Sequence, residues 1–316
     1  MRITAASYSS LALLATLCLL PLAAHSRVWF VRNDGTGDAP TIQAAIDSAA
    51  AGDTITLAKG IFREQSSITC CDKNTLVVNS ESGPDSTIIA PASESSFISI
   101  ASCGNISFDG ISFRDFPGSA LSFWMTSEIT ISNCGFFNNG HYYYKYAILF
   151  EWCNGIDVRN SKISGNLGGI MYYELNSNVV SYNNIYLANI HTAINLNDVT
   201  NCSIANSIIS GSKYGIRGLG ANISLQCNNV FNNEVNYAIL YYLDPTGQNG
   251  NISVDAQFCS IDPVAYNNYY LQSDSPCAPG NHPDAYPCGL IGCEPVGCGT
   301  NGIEKTSWSN VKQLFK

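Results

Sequence analysis

Glu151, Glu174, Asp198 and Arg217 recur near equivalent points of successive chain segments and are the side chains best suited to chemistry. If those segments are neighbouring strands, about 4.8 Å apart, Glu174 and Asp198 become close neighbours. Two carboxyl groups so placed suit retaining glycoside hydrolysis, one as acid and one as nucleophile. Crowding like charges raises the pKa of one of them, which a general acid requires. The same carboxylates could instead hold Ca²⁺ and a uronate, with Arg217 as a base or carboxylate clamp. Trp152, Tyr173, Asn195 and Asn197 share this face and would contact sugar rings and hydroxyls. The insertion 138–146 brings His141 and several tyrosines to the same edge. A structural reading competes: carboxylates at strand ends ordinarily face solvent, and aromatic columns often only stack on each other. Spacing alone leaves catalysis and plain glycan contact both open.

A repeat must position these residues. Six stretches share an apolar-x-apolar pair followed two positions later by a small or polar residue: Ile106/Phe108/Gly110, Ile129/Ile131/Asn133, Ile156/Val158/Asn160, Val180/Tyr182/Asn184, Cys202/Ile204/Asn206 and Ile223/Leu225/Cys227. Their third members lie 23, 27, 24, 22 and 21 residues apart. A period in the low twenties marks a solenoid whose units must stack to bury their apolar faces.

Each unit holds a second strand. Its alternation places Leu121, Ile148, Ile170, Ile194, Ile216 and Ile239 inside, with Phe123, Phe150, Tyr172, Leu196 and Tyr241 two residues on. Gly218 leaves that column nearly empty in one rung. A third short strand centres on Phe113, Phe136, Ile163, Leu187, Ile209 and Val230. Three short strands per turn describe an all-β fold, a single-stranded parallel β-helix. Asn133, Asn160, Asn184 and Asn206 are expected to stack inward as a ladder, satisfying buried polar groups; Asn also tolerates the left-handed geometry of a tight bend.

Residues 1–26 read as a signal peptide: Arg2, an apolar stretch from Leu11 to Leu22, and the small-x-small site Ala24-His25-Ser26. The β-helix with its cap occupies 27–258, a Cys/Pro/Gly-rich tail 259–300, and a short amphipathic segment 301–316. Pro40 and the apolar set Ile42, Ala45, Ile46 and Ala49 predict an α-helix plugging the open end of the coil. Of 13 cysteines, Cys18 leaves with the signal peptide, so the exported chain keeps an even set. Cys277, Cys288, Cys293 and Cys298 are placed for disulfide staples in the tail. Cys202 and Cys227 sit where core thiols or ladder members belong. No metal site is expected from these spacings. The formal net charge of −9, without a basic stripe, argues against nucleic acid. No stretch after the signal peptide is long and apolar enough to span a bilayer.

The segment FVRNDGTGDAPTIQAAID (30–47), then GDTI (52–55) and GIFRE (60–64), resembles the opening of pectin methylesterases and of many bacterial β-helix repeat proteins. LQSDSPCAPG (271–280) is similar to the end of the bacterial group. With the rungs, the chain resembles the secreted right-handed parallel β-helix proteins of the pectin-lyase-like superfamily over nearly all its exported length. The resemblance implies a right-handed coil and puts the usual active face on the strand beginning at Ala147 or Gly169. The catalytic signatures of pectin methylesterases, polygalacturonases and pectate lyases are absent from the sequence. The expectation is therefore a monomeric protein, secreted or at the cell surface, that binds polysaccharide or a cell-surface glycan. If an enzyme, it would be a polysaccharide lyase or glycoside hydrolase, with Ca²⁺ as the cofactor to test. The competing class is a non-enzymatic adhesion or rod protein.

Overall fold

A computed structural model describes residues 26–64, 68–71, 75–93, 98–141, 145–260 and 269–298. Short strands coil into a solenoid in which equivalent strands pair in parallel, forming a 14-stranded and an 8-stranded sheet. Register carries Leu121 to Ile148, Ile170, Ile194 and Ile216 in successive rungs. All five are fully buried. Phe123, Phe150 and Tyr172 follow them two residues on, stacked with centroids 5.1 and 5.2 Å apart. Phe113 and Phe136 stack at 4.9 Å on the opposite wall. Each such side chain removed from water contributes roughly 1.5–3 kcal/mol, and stacking like on like keeps the column filled.

Four expectations are corrected. The inward polar ladder lies one residue beyond the expected asparagines. Ser161 N donates to Asn184 Oδ1 at 2.9 Å, Asn184 N to Ser207 Oγ at 3.2 Å and Ser207 N to Asn228 Oδ1 at 3.1 Å. Only Asn184 of the expected four belongs to it. Asn133, Asn160 and Asn206 take the left-handed bend, with φ of 51°, 50° and 48°. There the short amide tolerates a backbone that few side chains adopt. Asn133 is exposed, and its amide bonds Asp109 at 2.7 Å.

The second correction explains the first. Ile156 pairs with Val179 and Val158 with Ser181, so this rung sits one residue earlier than Val180/Tyr182 suggested. A one-residue slip exchanges faces: Val180 is 40% exposed, and Ser181 points inward. The buried hydroxyl is satisfied by Tyr186 Oη at 2.9 Å and Asn184 Nδ2 at 3.1 Å. The same offset puts Tyr186, not Leu187, in register with Ile163 and Ile209.

Third, Tyr241 is not an inner residue; it is 98% exposed. Ile216 pairs with Tyr237, and Gly218 with Ile239, two residues earlier than expected. Gly218 itself has φ 134°, and a Cβ there would lie 1.6 Å from the Leu196 carbonyl oxygen, so the thin rung needs glycine. Fourth, Cys227 is not a core thiol; it bonds Cys288.

At the N-terminal end the helix Ile42–Ser48 begins with Thr41, whose hydroxyl accepts from Ala44 N at 3.0 Å. Ile42, Ala45 and Ile46 join the core and plug the coil. Asp53 ties the next turn, accepting from Arg27 N, Trp29 Nε1 and Ala50 N. At the other end the tail is stapled by Cys227–Cys288 and Cys259–Cys298. Cys277 and Cys293 are not in these bonds. Among the described residues no helix is long and apolar enough to cross a membrane. The expected signal peptide (save Ser26) and the expected amphipathic segment 301–316 lie outside the described residues.

Candidate functional site

The sheet that begins each rung's second strand turns a corner into the next strand. The turn is made by residues in the left-handed region: Met125, Trp152, Glu174 and Asp198, with φ of 48°, 52°, 52° and 63°. Such a bend presents its side chain outward, and Met125 and Trp152 are 54% and 40% exposed. Just before the corner, register aligns Trp124, Glu151, Tyr173, Asn197 and Leu219 on the outer surface. Trp124 and Trp152 meet with ring centroids 6.0 Å apart and planes at 61°. Beside them lies an open depression of ≈ 460 Å³ lined by Met125, Thr126, Ser127, Trp152 and Asn154. An edge-to-face pair of half-exposed indoles over a shallow groove offers flat apolar surface beside polar rims, as a sugar ring requires.

The expected residues divide between two places. Glu151 pairs with Tyr173, whose hydroxyl donates to the Glu174 carboxylate; that bond and the nearby charge hold the phenol above its ordinary range. Glu174 and Leu175 both lie in the left-handed region where the ladder jumps from the Tyr173–Asn197 pair to the Asn176–Val199 pair. Two residues of one strand thus face Asp198 alone, and the bulge brings Glu174 and Asp198 to the same corner. Arg217 goes elsewhere. Its guanidinium lies 4.9 Å from the Tyr214 ring centroid. Asn195 is already engaged, donating to Tyr146 Oη at 2.8 Å, so the end of the 138–146 loop rests on this face. Tyr146 also packs where a side chain at Gly168 would stand. His141 is exposed near the start of that loop.

Two features escaped the sequence reading. Trp124 and Met125 were not among the expected site residues; the signal was the Trp-Met corner matching Glu151-Trp152 one rung on. A second outer depression, ≈ 420 Å³, includes Glu128, Asp157 and Val180 on the following strand face. There Arg159 bonds Asp157 at 2.9 Å and Tyr182 Oη at 3.2 Å. Burial pushes the Asp157 carboxyl above its usual range despite the Arg159 charge. The slip at Val180 had hidden this register.

The model of the family described as periplasmic copper-binding protein (NosD) matches residues 46–253. Among solved structures, the crystal structure of pectate lyase Pel9A matches with a TM-score of 0.50 at 12% identity, covering 86% of this chain and 97% of that one. The structure of the PL6 family alginate lyase AlyGC matches with a TM-score of 0.36 at 12% identity, covering 83% of this chain and 46% of that one. No curated protein sequence matches. At such identities the pectate lyase likeness speaks for the fold alone, a parallel β-helix of the pectin-lyase-like kind.

Proposed function

The chain belongs to the periplasmic copper-binding protein (NosD) family, and from that premise we propose that it is an exported β-helix protein that binds polysaccharide at the Trp124–Trp152 corner. The observation that carries this reading is the half-exposed Trp124–Trp152 indole pair beside an open groove lined by Met125, Thr126, Ser127, Trp152 and Asn154. Two disulfides suit an oxidising compartment, in keeping with export.

The reading is binding without cleavage. Arg217, expected as a base or as a clamp on a uronate carboxylate beside Glu174 and Asp198, lies instead 4.9 Å from the Tyr214 ring centroid. Copper, which the family description names, does not fit the described residues either. Among the described residues no group of three or more His, Cys, Asp and Glu side chains is gathered for a metal ion. Burial pushes the thiols of Cys134, Cys202 and Cys277 up to about 12, whereas a ligand must be the thiolate.

The test is retention of the protein on a broad panel of insoluble and arrayed polysaccharides, with release of reducing ends and unsaturated uronates followed with and without Ca²⁺. We expect retention on some members and no product. Trp152→Ala should weaken retention about tenfold, the scale of a buried aromatic anchor. Unchanged retention in Trp124→Ala and Trp152→Ala together would sink the proposed corner, and product release would replace binding with catalysis.

A further inference from the structure

Lys213 and Tyr214 stand at the start of the strand Tyr214–Gln226, with Arg217 three residues in, while His191 immediately precedes the neighbouring strand Thr192–Ala205. Three groups converge on the Tyr214 ring: Arg217 at 4.9 Å from its centroid, Lys213 Nζ at 5.6 Å and the His191 ring at 5.8 Å. The chain as a whole carries a formal charge of −9 with only 15 Lys and Arg. Gathering three potential cations at one ring is therefore against the average. The ion pairs of the described residues, Arg159–Asp157 and Lys162–Glu294, leave this cluster untouched. Unneutralised like charges repel, and the ring's π face compensates them only in part. His191 Nδ1 lies 2.9 Å from Thr192 Oγ1, which fixes the imidazole.

We propose that Lys213, Arg217 and His191 form a binding site for a tetrahedral oxyanion, a phosphate or sulfate ester carried by a saccharide. A carboxylate is satisfied by one arginine fork. Three separate donors around a ring match a group with three free oxygens, as in a phosphate monoester of charge about −1.5 to −2 or a sulfate monoester of single charge. The carrier rests on the glycan reading above, because Arg217 lies two residues before Leu219 of the corner column on the same outer surface. The oxyanion does not depend on it. His191 is held below its ordinary range by partial burial first, then by Arg217 and Lys213, the charged groups that face it from the next strand. A bound anion offsets those charges and moves the imidazole back up.

The experiment follows the His191 imidazole by NMR through a pH titration of the full chain, with calorimetry in parallel. The probes are inorganic phosphate, inorganic sulfate, glucose 6-phosphate, galacturonate, and a phosphorylated and a sulfated oligosaccharide. Phosphate and its esters should raise the His191 pKa, and galacturonate should bind at least fivefold more weakly. Arg217→Gln and Lys213→Gln, both at exposed positions, should each weaken phosphate binding about fivefold or more while the circular dichroism spectrum is kept. Tighter binding of a modified oligosaccharide than of its inorganic anion supports the saccharide carrier; equal binding overturns that part in favour of free anion. No His191 shift with any oxyanion overturns the site, whatever the Trp152 corner retains. Phosphate binding that persists while every polysaccharide fails would overturn the glycan reading and leave the anion site standing.

Discussion

The outer face of the eight-stranded sheet and the corner bearing Trp124 and Trp152 are both apolar, yet the chain treats them oppositely. On the sheet, Ile185, Leu187, Ile208 and Phe231 point outward and are nonetheless buried, because Tyr269, Leu271 and Ile291 of the tail pack over them. Gly292 N reaches Asn206 O at 2.7 Å, and the Lys162–Glu294 ion pair closes the margin. At the corner, Trp124, Met125, Trp152 and Leu175 are left 40% to 66% exposed. A solenoid that spends a whole tail on covering one apolar surface had the means to cover another. The bare surface is therefore the one to interrogate for a ligand, and the covered one for stability.

The comparison breaks most visibly at the staple. Cys227–Cys288 spans 61 residues and ties the tail to the corner of a late rung. A loop of that size contributes about 4 kcal/mol through the unfolded chain. The double variant Cys227→Ser, Cys288→Ser should lower the denaturation midpoint accordingly and expose apolar dye-binding surface. Glycan retention at Trp152 should be unchanged. If retention falls with stability, the two surfaces are not separable as argued.

Next is the second polar ladder, which sits buried at the turn that follows the strands of the eight-stranded sheet. Asn139 N donates to Asn166 Oδ1 at 2.9 Å, and Asn166 donates to Phe136 O and to Asn189 Oδ1, both at 3.0 Å. Asn166→Ala strands several buried backbone groups, each at about 1–3 kcal/mol. A loss of about 3 kcal/mol in chemical denaturation is expected. Trp152→Ala should give the reverse pattern: less than about 1 kcal/mol in stability, as for an exposed residue, with the tenfold loss of retention.

How far the sequence foretold these differences follows from what each residue must satisfy. Inner columns such as Ile148–Ile170–Ile194 were legible because burial demands apolar groups at fixed spacing. The rung at Val179–Ser181 was not, since Val180 and Tyr182 make the better apolar pair; the true register buries a serine that only Tyr186 and Asn184, distant in pattern, can satisfy. The ladder of Asn139, Asn166 and Asn189 was present three residues after Phe136, Ile163 and Tyr186, but an asparagine in a turn reads equally as a bend. At the site, the Trp and Glu columns could be aligned by register. What could not be read was that Arg217 prefers the ring of Tyr214 and that Asn195 is taken by Tyr146, because both partners come just before the residues that the apolar pattern aligned.

The finest form of the comparison is between two adjacent tyrosines of one strand. Tyr172 is fully buried, and desolvation raises its phenol well above the ordinary value of 10.0; among the described residues no hydrogen-bond partner reaches its hydroxyl. Tyr173 faces out, and its smaller upward shift comes first from the bond to Glu174 and then from that carboxylate's charge. A phenol whose folded pKa is raised stabilises the fold fully below the unfolded value and loses that contribution as pH rises toward the folded one. Tyr172 should therefore ionise only as the protein unfolds in alkali, while Tyr173 titrates reversibly in the folded state. Glu174→Gln removes the acceptor charge, so Tyr173 should ionise at lower pH while the onset of alkaline unfolding stays put. Ultraviolet difference titration of the wild type, Glu174→Gln and Tyr173→Phe resolves the two phenols. A shift of the unfolding onset with Glu174→Gln would mean that the bare corner is coupled to the core, and the division between covered and exposed surface would have to be redrawn.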